Sequence, residues 1–400
     1  MGFDVERVRA LYPALQDGYA WLDGAAGTQV PQSVIDAIAE AYRGGIGNQH
    51  GAFPASHRSD TIVAGARQAV ADLVSGDPRG VVFGPNMTTL TYRFAATLSR
   101  TWRAGDDIVV SRLDHDANVR PWIQAAERAG ATVRWAEVDV PSGELPADQY
   151  QRLVGERTRL VAVTAASNVL GTMPDVAAIA KATHHAGALL YVDGVHATPH
   201  TPVDIAALGA DLYATSAYKW SGPHVGVIIA DPGLLDSLRP DKLASSPDEI
   251  PDRFETGTPP FADLAGVAAA VDHLAALDPA ATGSRRERIL ASMTAAEAYE
   301  QAEFARLLAG LAEIAAVRLV GSPARRTATA YFTVRGYHPD EVAEHLASRR
   351  INVWNGHCYA WEVTGALGIR DTGSAVRAGL VHYNDRDEVD RLLAALAELP

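Results

Sequence analysis

The amino-acid sequence predicts an α/β protein, with a large domain followed by a small α+β C-terminal domain, on three observations. Short β-branched or apolar runs alternate with amphipathic stretches from Trp21 to about Ala230, the pattern of strands and helices layered on one sheet. A Pro-, Ser- and Asp-rich stretch at 239–254 then breaks the alternation. Beyond it an Ala-, Leu- and Glu-rich segment with helical spacing, 283–316, leads into mixed strands and helices over 327–400.

Taken in order, seven runs read as strands: VVFG (81–84), DIVVS (107–111), ATVRWAEV (131–138), RLVAVT (159–164), ALLYVD (188–193), LYATS (212–216) and VGVIIA (225–230). Helices are expected between most of them, among others at 59–75, 116–129 and 175–186. The 239–254 stretch reads as a long surface loop, because its prolines punctuate any regular element. In the C-terminal part TAYFTV reads as a strand, and PDEVAEHLASRR and RDEVDRLLAALAEL read as helices. The expected organisation is an N-terminal segment, 1–20, packing with the small domain, a large domain over 21–282 and a small one over 283–400.

The 400 residues are 48% hydrophobic and carry a formal net charge of -13, so there is no general basic footprint for nucleic acid or anionic lipid. A small polar metabolite fits that balance better. No apolar run approaches the roughly 18 residues of a membrane span, and the first residues lack a basic-then-apolar leader pattern. A cytoplasmic location is the expectation. Cys358 is the single cysteine, which rules out an internal disulfide and a zinc site built on several thiolates. No metal is expected, since the rings of adjacent His184 and His185 point to different faces of a helix.

Only Lys181, Lys219 and Lys242 are lysines, so chemistry that needs a neutral amine has three candidates. Lys181 lies in a polar-faced helix and Lys242 in the Pro/Ser loop. Lys219 follows the strand LYATS between Tyr218 and Trp220, and an apolar aromatic setting lowers an amine's pKa as a Schiff-base lysine requires. A stem merely packed on aromatics is the other reading. Asp193 ends a strand in YVDGVHA, where open α/β sheets place their ligands. It could hold a pyridinium nitrogen, or simply cap the following turn. In GPNMTTL (84–90) a strand ends and a helix begins with Asn86, Thr88 and Thr89, which makes either a phosphate site or an ordinary N-cap. The glycine spacing of nucleotide-binding loops is missing there, which argues against a nicotinamide-dependent dehydrogenase.

In this order the pieces resemble the class V aminotransferase family of pyridoxal 5'-phosphate (PLP) enzymes, which contains cysteine desulfurases, selenocysteine lyases and isopenicillin N epimerase-like proteins. The resemblance runs through WLDGAAGTQVP (21–31), GPNMTTL, LDHDANVRPW (113–122), SNVLGT (167–172), YVDGVHA, SAYKWSGPHVG (216–226), FETGTPPF (254–261) and VRAGLVHYN (376–384). It implies a fold-type I, aspartate aminotransferase-like architecture with a seven-stranded, mostly parallel sheet. It further implies PLP as cofactor on Lys219, His115 on the pyridine face, Asp193 at the ring nitrogen, and Asn168 and His196 on the ring's oxygen side. Thr88, Thr89, Ser216 and Tyr218 would surround the phosphate. Thr258 would reach the phosphate of a neighbouring subunit in a homodimer that shares its active sites. Arg377, with Ala26 and His357, would bind an amino-acid substrate through its carboxylate.

The resemblance departs from the family pattern in two places. Desulfurases carry sulfur on the cysteine of a Gly-His-His-Cys loop, whereas the loop here reads NVWNGHCYAWEV. Cys358 is therefore two residues after Gly356, and Tyr359 takes the third place if the glycines align; Cys358 is the candidate catalytic sulfur acceptor if the loop shifts by one residue, and otherwise a buried bystander thiol. Tyr218 replaces the histidine that usually precedes the cofactor lysine, as in a cysteine-desulfurase-like subgroup. The expected function is a desulfurase-like carbon-sulfur lyase. Alternatives are an aminotransferase, an epimerase or β-eliminating lyase that uses no thiol, and a non-catalytic PLP-fold binding protein. The sulfur acceptor is not identified by the sequence.

Overall fold

A computed structural model describes residues 3–399; of the expected 1–20 segment and 283–400 domain, residues 1, 2 and 400 lie outside it. A short strand β1 (Ala20–Trp21) precedes the large sheet. That sheet comprises β2 (Val81–Gly84), β3 (Asp107–Ser111), β4 (Thr132–Ala136), β5 (Thr158–Thr164), β6 (Leu189–Asp193), β7 (Leu212–Ser216) and β8 (Gly226–Ala230). Its order is β2-β8-β7-β6-β5-β3-β4, and β8 alone runs against its neighbours. The seven expected strands are thus all present: β2, β3 and β7 with the expected bounds, β4, β6 and β8 trimmed by one or two residues at an end, and β5 starting one residue earlier. Three of them, β3, β7 and β8, are buried along their whole length and β2, β5 and β6 at all but one residue, because helices cover both faces and leave no polar side to alternate toward.

The expected helices appear as Pro54–Val74, Arg120–Ala129 and Val176–His185. The first starts earlier than its apolar spacing indicates because Pro54, at the first turn, needs no hydrogen-bonded N–H there. The second is preceded by a 3-10 turn, Asp116–Asn118, whose cap is His115. The 239–254 stretch is irregular down to a 3-10 turn at Asp252–Phe254. It is anchored by Arg253 to Asp236 at 2.9 Å and by Arg67 to Asp252 at 2.7 Å.

A capping box of Ser284 and Glu287 opens the 29-residue helix Arg285–Glu313. Ile289 and Met293 of that helix join the large core, while Phe304, Leu307 and Leu311 belong to the small one. The small domain continues with β9 (Val317–Leu319), β10 (Thr329–Val334), β11 (Ile351–Asn352), β12 (Trp354–Gly356) and β13 (Ala375–Gly379). Four of these form an antiparallel sheet in the order β12-β13-β10-β9, and β1 pairs with β11 in parallel. The N-terminal segment touches both parts. Arg9 binds Glu388 at 2.9 Å, whereas the Tyr12 hydroxyl meets Ser221, His273 and His382 at 2.8, 2.7 and 2.8 Å.

The carboxyl ends of β2, β3, β5, β6 and β7 open on one edge of the sheet, and the cleft lies there. Close backbone approach brings the helix Met87–Leu98 onto that edge. A Cβ on Gly226 would stand 2.1 Å from the carbonyl carbon of Asn86 and 2.4 Å from the Met87 nitrogen, so only glycine lets the helix start rest against β8. Gly226→Ala is accordingly expected to cost about 1–3 kcal/mol through backbone displacement. Denaturant unfolding measures this, and an unchanged midpoint with an unchanged slope would refute the close-approach account.

Candidate active site

Each strand end delivers one part of the site. Lys219 sits in the 3-10 turn Ala217–Lys219 directly after β7, with its Nζ donating to the Ala25 carbonyl at 2.7 Å. Desolvation first, and then the Arg377 charge, pull its pKa down to about 7, so a large fraction of the amine is neutral near that pH. The segment carrying Ala25 clasps the lysine turn from outside. Thr28 donates from its backbone N and its hydroxyl to the Tyr218 carbonyl, at 2.9 and 3.1 Å, and accepts from Ser221 N at 2.7 Å.

Asp193 closes β6, is 4% exposed, and accepts from Val195 N at 2.9 Å. Burial raises its pKa to about 6, which marks a carboxylate short of cationic company. Asp114 lies behind it, bonded to Ser111 and, at 2.7 Å, to Asn118. Burial above all, with the Asp193 charge adding to it, lifts Asp114 to about 8. Asp114 therefore keeps its proton, and Asp193 is the carboxyl that carries charge at neutral pH.

His115, after β3, accepts from Ala117 N at its Nδ1 at 3.0 Å, and burial lowers its pKa to about 3, so the ring is neutral. His196 is 3% exposed, and its Nε2 meets the hydroxyls of Thr329 and Thr327 at 2.9 and 3.1 Å. Those threonines lie at the start of the small domain, which thus fixes a wall of the cleft. Asn168, after β5, donates to the Cys358 carbonyl at 2.8 Å, while its buried Oδ1 has no partner among the described residues.

These residues converge. Thr88, His115, Asn168, Asp193, His196, Tyr218 and Lys219 line one cleft of ≈ 440 Å³. A larger cleft, of ≈ 770 Å³ and lined by Asp175, Asp204 and Arg325 among others, lies elsewhere and holds no amine or imidazole. At the mouth of the first, Asn86 accepts from Thr89 N at 2.8 Å and buried Ser216 accepts from Met87 N at 3.2 Å. Ser216 thus braces the helix start from behind. Tyr218 stacks on His224 at 4.8 Å.

The remaining expected residues lie around the cleft. Arg377, on β13, is 4% exposed and donates to the Asn168 carbonyl at 2.9 Å. Direct pairing with Tyr331 and Trp354 puts all three on one face of the small sheet. Ala26 is half-buried in the clasping segment, beside Asp23, whose pKa burial raises to about 6. Thr258 is exposed and stands outside this chain's own cleft.

His357, Cys358 and Tyr359 form the turn after β12. Cys358 and Tyr359 take left-handed backbone, φ 47° and 59°, at roughly 1–2 kcal/mol per residue. Three hydrogen bonds hold the turn down, from Tyr331 to Gly356 O at 2.7 Å, from Asn168 to Cys358 O, and from Asp116 N to Tyr359 O at 2.8 Å. The Cys358 thiol faces carbonyls of its own turn, 3.6 Å from Gly356 O and 4.0 Å from Asn355 O.

The cleft suits PLP by the chemistry of its donors. A neutral amine, a buried carboxylate lacking a cation, an unpartnered amide oxygen and a helix start are the complements of an aldehyde, a pyridinium, a ring hydroxyl and a phosphate. Ala25, Thr28, Asp114, Thr327 and Thr329 had no role in the sequence reading. WLDGAAGTQVP and LDHDANVRPW gave a signal for Ala25, Thr28 and Asp114 only as part of the resemblance, and Thr327 and Thr329 are recognisable only once distant segments meet.

Comparison with known proteins agrees with this geometry. The Aminotransferase class-V family model matches residues 20–392. An uncharacterized protein of Mycobacterium tuberculosis is 40% identical, with 100% of both chains covered. A probable cysteine desulfurase of Pseudomonas aeruginosa is 35% identical over 97% of this chain and 96% of its own length. The crystal structure of the cysteine desulfurase CsdA from Escherichia coli superposes with a TM-score of 0.86 at 27% identity, covering 99% of this chain and 98% of that one.

Burial of Lys219 has a thermodynamic signature in the cofactor-free protein. Between the folded pKa near 7 and the unfolded value of 10.5, the unfolded chain binds more protons at this group, so its contribution to stability rises with pH across that window. Below the window the full penalty of burying an ammonium is present. The unfolding free energy of the wild type minus that of Lys219→Met is expected to increase from pH 7 to pH 10 in denaturant titrations. A difference independent of pH would show that the amine is solvated.

Proposed function

The chain belongs to the class V aminotransferase family, and from that premise we propose that it is a PLP-dependent, cysteine-desulfurase-like enzyme that cleaves a carbon-sulfur bond of an amino acid. The observation that carries this reading is the Lys219 amine, its pKa lowered by burial, in one cleft with Asp193. Bound PLP supplies an electron sink for charge that develops at the substrate Cα. Arg377 would receive the substrate carboxylate, and its guanidinium, already oriented by the Asn168 carbonyl, would fix the orientation of the substrate about Cα. Lys219 in its neutral form would take the proton from the substrate Cα. Asp193 would hold a protonated ring nitrogen, and the neutral His115 would offer the ring a flat, uncharged face.

Thr258 supports a homodimer with shared active sites, because it is exposed and is not among the residues that line its own cleft. No described helix is long and apolar enough to cross a membrane, and a cytoplasmic place suits an amino-acid substrate.

The orientation of Cys358 favours a second reading for the outcome of the reaction. Its thiol turns toward its own carbonyls, and Asn168 and Asp116 pin the turn on either side. This supports a reaction that does not load sulfur on Cys358, such as direct elimination, transamination or epimerisation.

Incubation of the PLP-loaded protein with cysteine and a thiol reductant, which supplies the two electrons that turn the abstracted sulfur into sulfide, is expected to release sulfide and alanine. Loss of both in Cys358→Ala would establish the thiol as the sulfur carrier, whereas full retention, or pyruvate or keto acid as product, would establish the second reading. A colourless protein that cannot bind PLP would overturn both. Arg377→Lys is expected to raise KM about tenfold or more, since a point charge replaces a two-pronged donor, and an unchanged KM would place the carboxylate elsewhere.

A further inference from the structure

We propose that Tyr359 is a positioning residue for His115, its phenol ring backing the outer face of the imidazole so that the inner face stays square to the cleft. This rests on the PLP reading above, in which the pyridine ring would occupy the cleft side of His115. The two rings stack with centroids 5.4 Å apart and planes 29° apart. His115 lines the cleft and Tyr359 is not among the residues that do, and the proposal puts the phenol on the imidazole face turned away from the cleft. Together the three rings would form one stack of phenol, imidazole and pyridine.

The tyrosine is aimed there by its backbone. Its carbonyl accepts from Asp116 N at 2.8 Å, one residue from His115, and its own N–H donates to His357 Nδ1 at 3.0 Å. The preceding carbonyl, of Cys358, is held by Asn168, another wall of the cleft. With φ at 59° the side chain is directed by a conformation that tyrosine disfavours, and the ring remains 68% exposed. A large apolar ring kept in water on strained backbone is poor packing for stability alone. It is reasonable packing for a ring that must be backed from outside.

His115 has one other in-plane restraint in its vicinity, the bond from Ala117 N to Nδ1 at 3.0 Å. A single hydrogen bond fixes a ring edge but leaves rotation about that contact. The stack removes it, and offset aromatic pairs are suited to this because their preferred separations and tilts are narrow.

The test is PLP affinity of the cofactor-free protein by absorbance titration, with the circular dichroism of the bound cofactor as a second readout. Tyr359→Ala is expected to weaken binding about 3- to 10-fold and to reduce the dichroic band, and Tyr359→Phe to stay within about twofold of wild type. Adding Tyr359→Ala to His115→Ala is expected to cause no further loss, because the effect passes through the imidazole. Tyr359→Leu, which fills the space without a flat ring, behaves as Tyr359→Ala if stacking is what matters. Unchanged affinity and dichroism in Tyr359→Ala, or equal losses with and without His115, would overturn the inference while leaving the PLP reading intact. Failure of the wild type itself to bind PLP would overturn both.

Discussion

Removal of the Lys219 amine from water is the constraint around which the structure is arranged. An ammonium in a low-dielectric cleft is costly, and the neutral form is favoured as far as neighbouring charges allow. Desolvation and the Arg377 charge lower its pKa, while Asp193, Asp23 and Cys358 push it back up. Few other positions in this chain could reach that balance. It needs a turn at the end of a wholly buried strand, a carbonyl such as that of Ala25 to receive the amine, and an arginine delivered from another domain.

That last requirement explains the close dependence of the two domains on each other. His196 is held by Thr327 and Thr329, Asn168 is bonded to both Arg377 and Cys358, and Tyr12 ties Ser221 to His273 and His382. None of these contacts is strong in isolation. Together they leave the cleft walls no independent freedom, so substrate would meet a cavity already shaped. The buried acids follow the same logic, since Asp114 keeps its proton beside Asp193 and a second negative charge is avoided.

The Cys358 turn is where the chain departs from the family's Gly-His-His-Cys loop pattern. A one-residue difference between glycine and cysteine is small in sequence and large in direction. Left-handed backbone at two successive residues rotates the side chains, so the thiol meets its own turn while Tyr359 meets His115. Family membership therefore bears more directly on the early steps proposed for Lys219, Asp193 and Arg377 than on the fate of the sulfur.

The sequence by itself determined the strands, because runs such as DIVVS and VGVIIA are apolar throughout and bounded by turn residues. It also determined the lysine, since Lys219 alone of three lysines lies between aromatics after such a run. Ordered motifs determined the family. Helix starts such as Pro54 were less legible, because proline at a first turn and proline in a loop read alike. Only the tertiary structure decided that Ala25 receives the amine, that Thr327 and Thr329 fix His196, and that Tyr359 rather than Cys358 faces the cleft-side histidine. These are contacts between segments far apart in the chain. Local pattern reports which residues will be buried, whereas the direction of a side chain in a turn depends on backbone angles that hydrogen bonds from elsewhere impose.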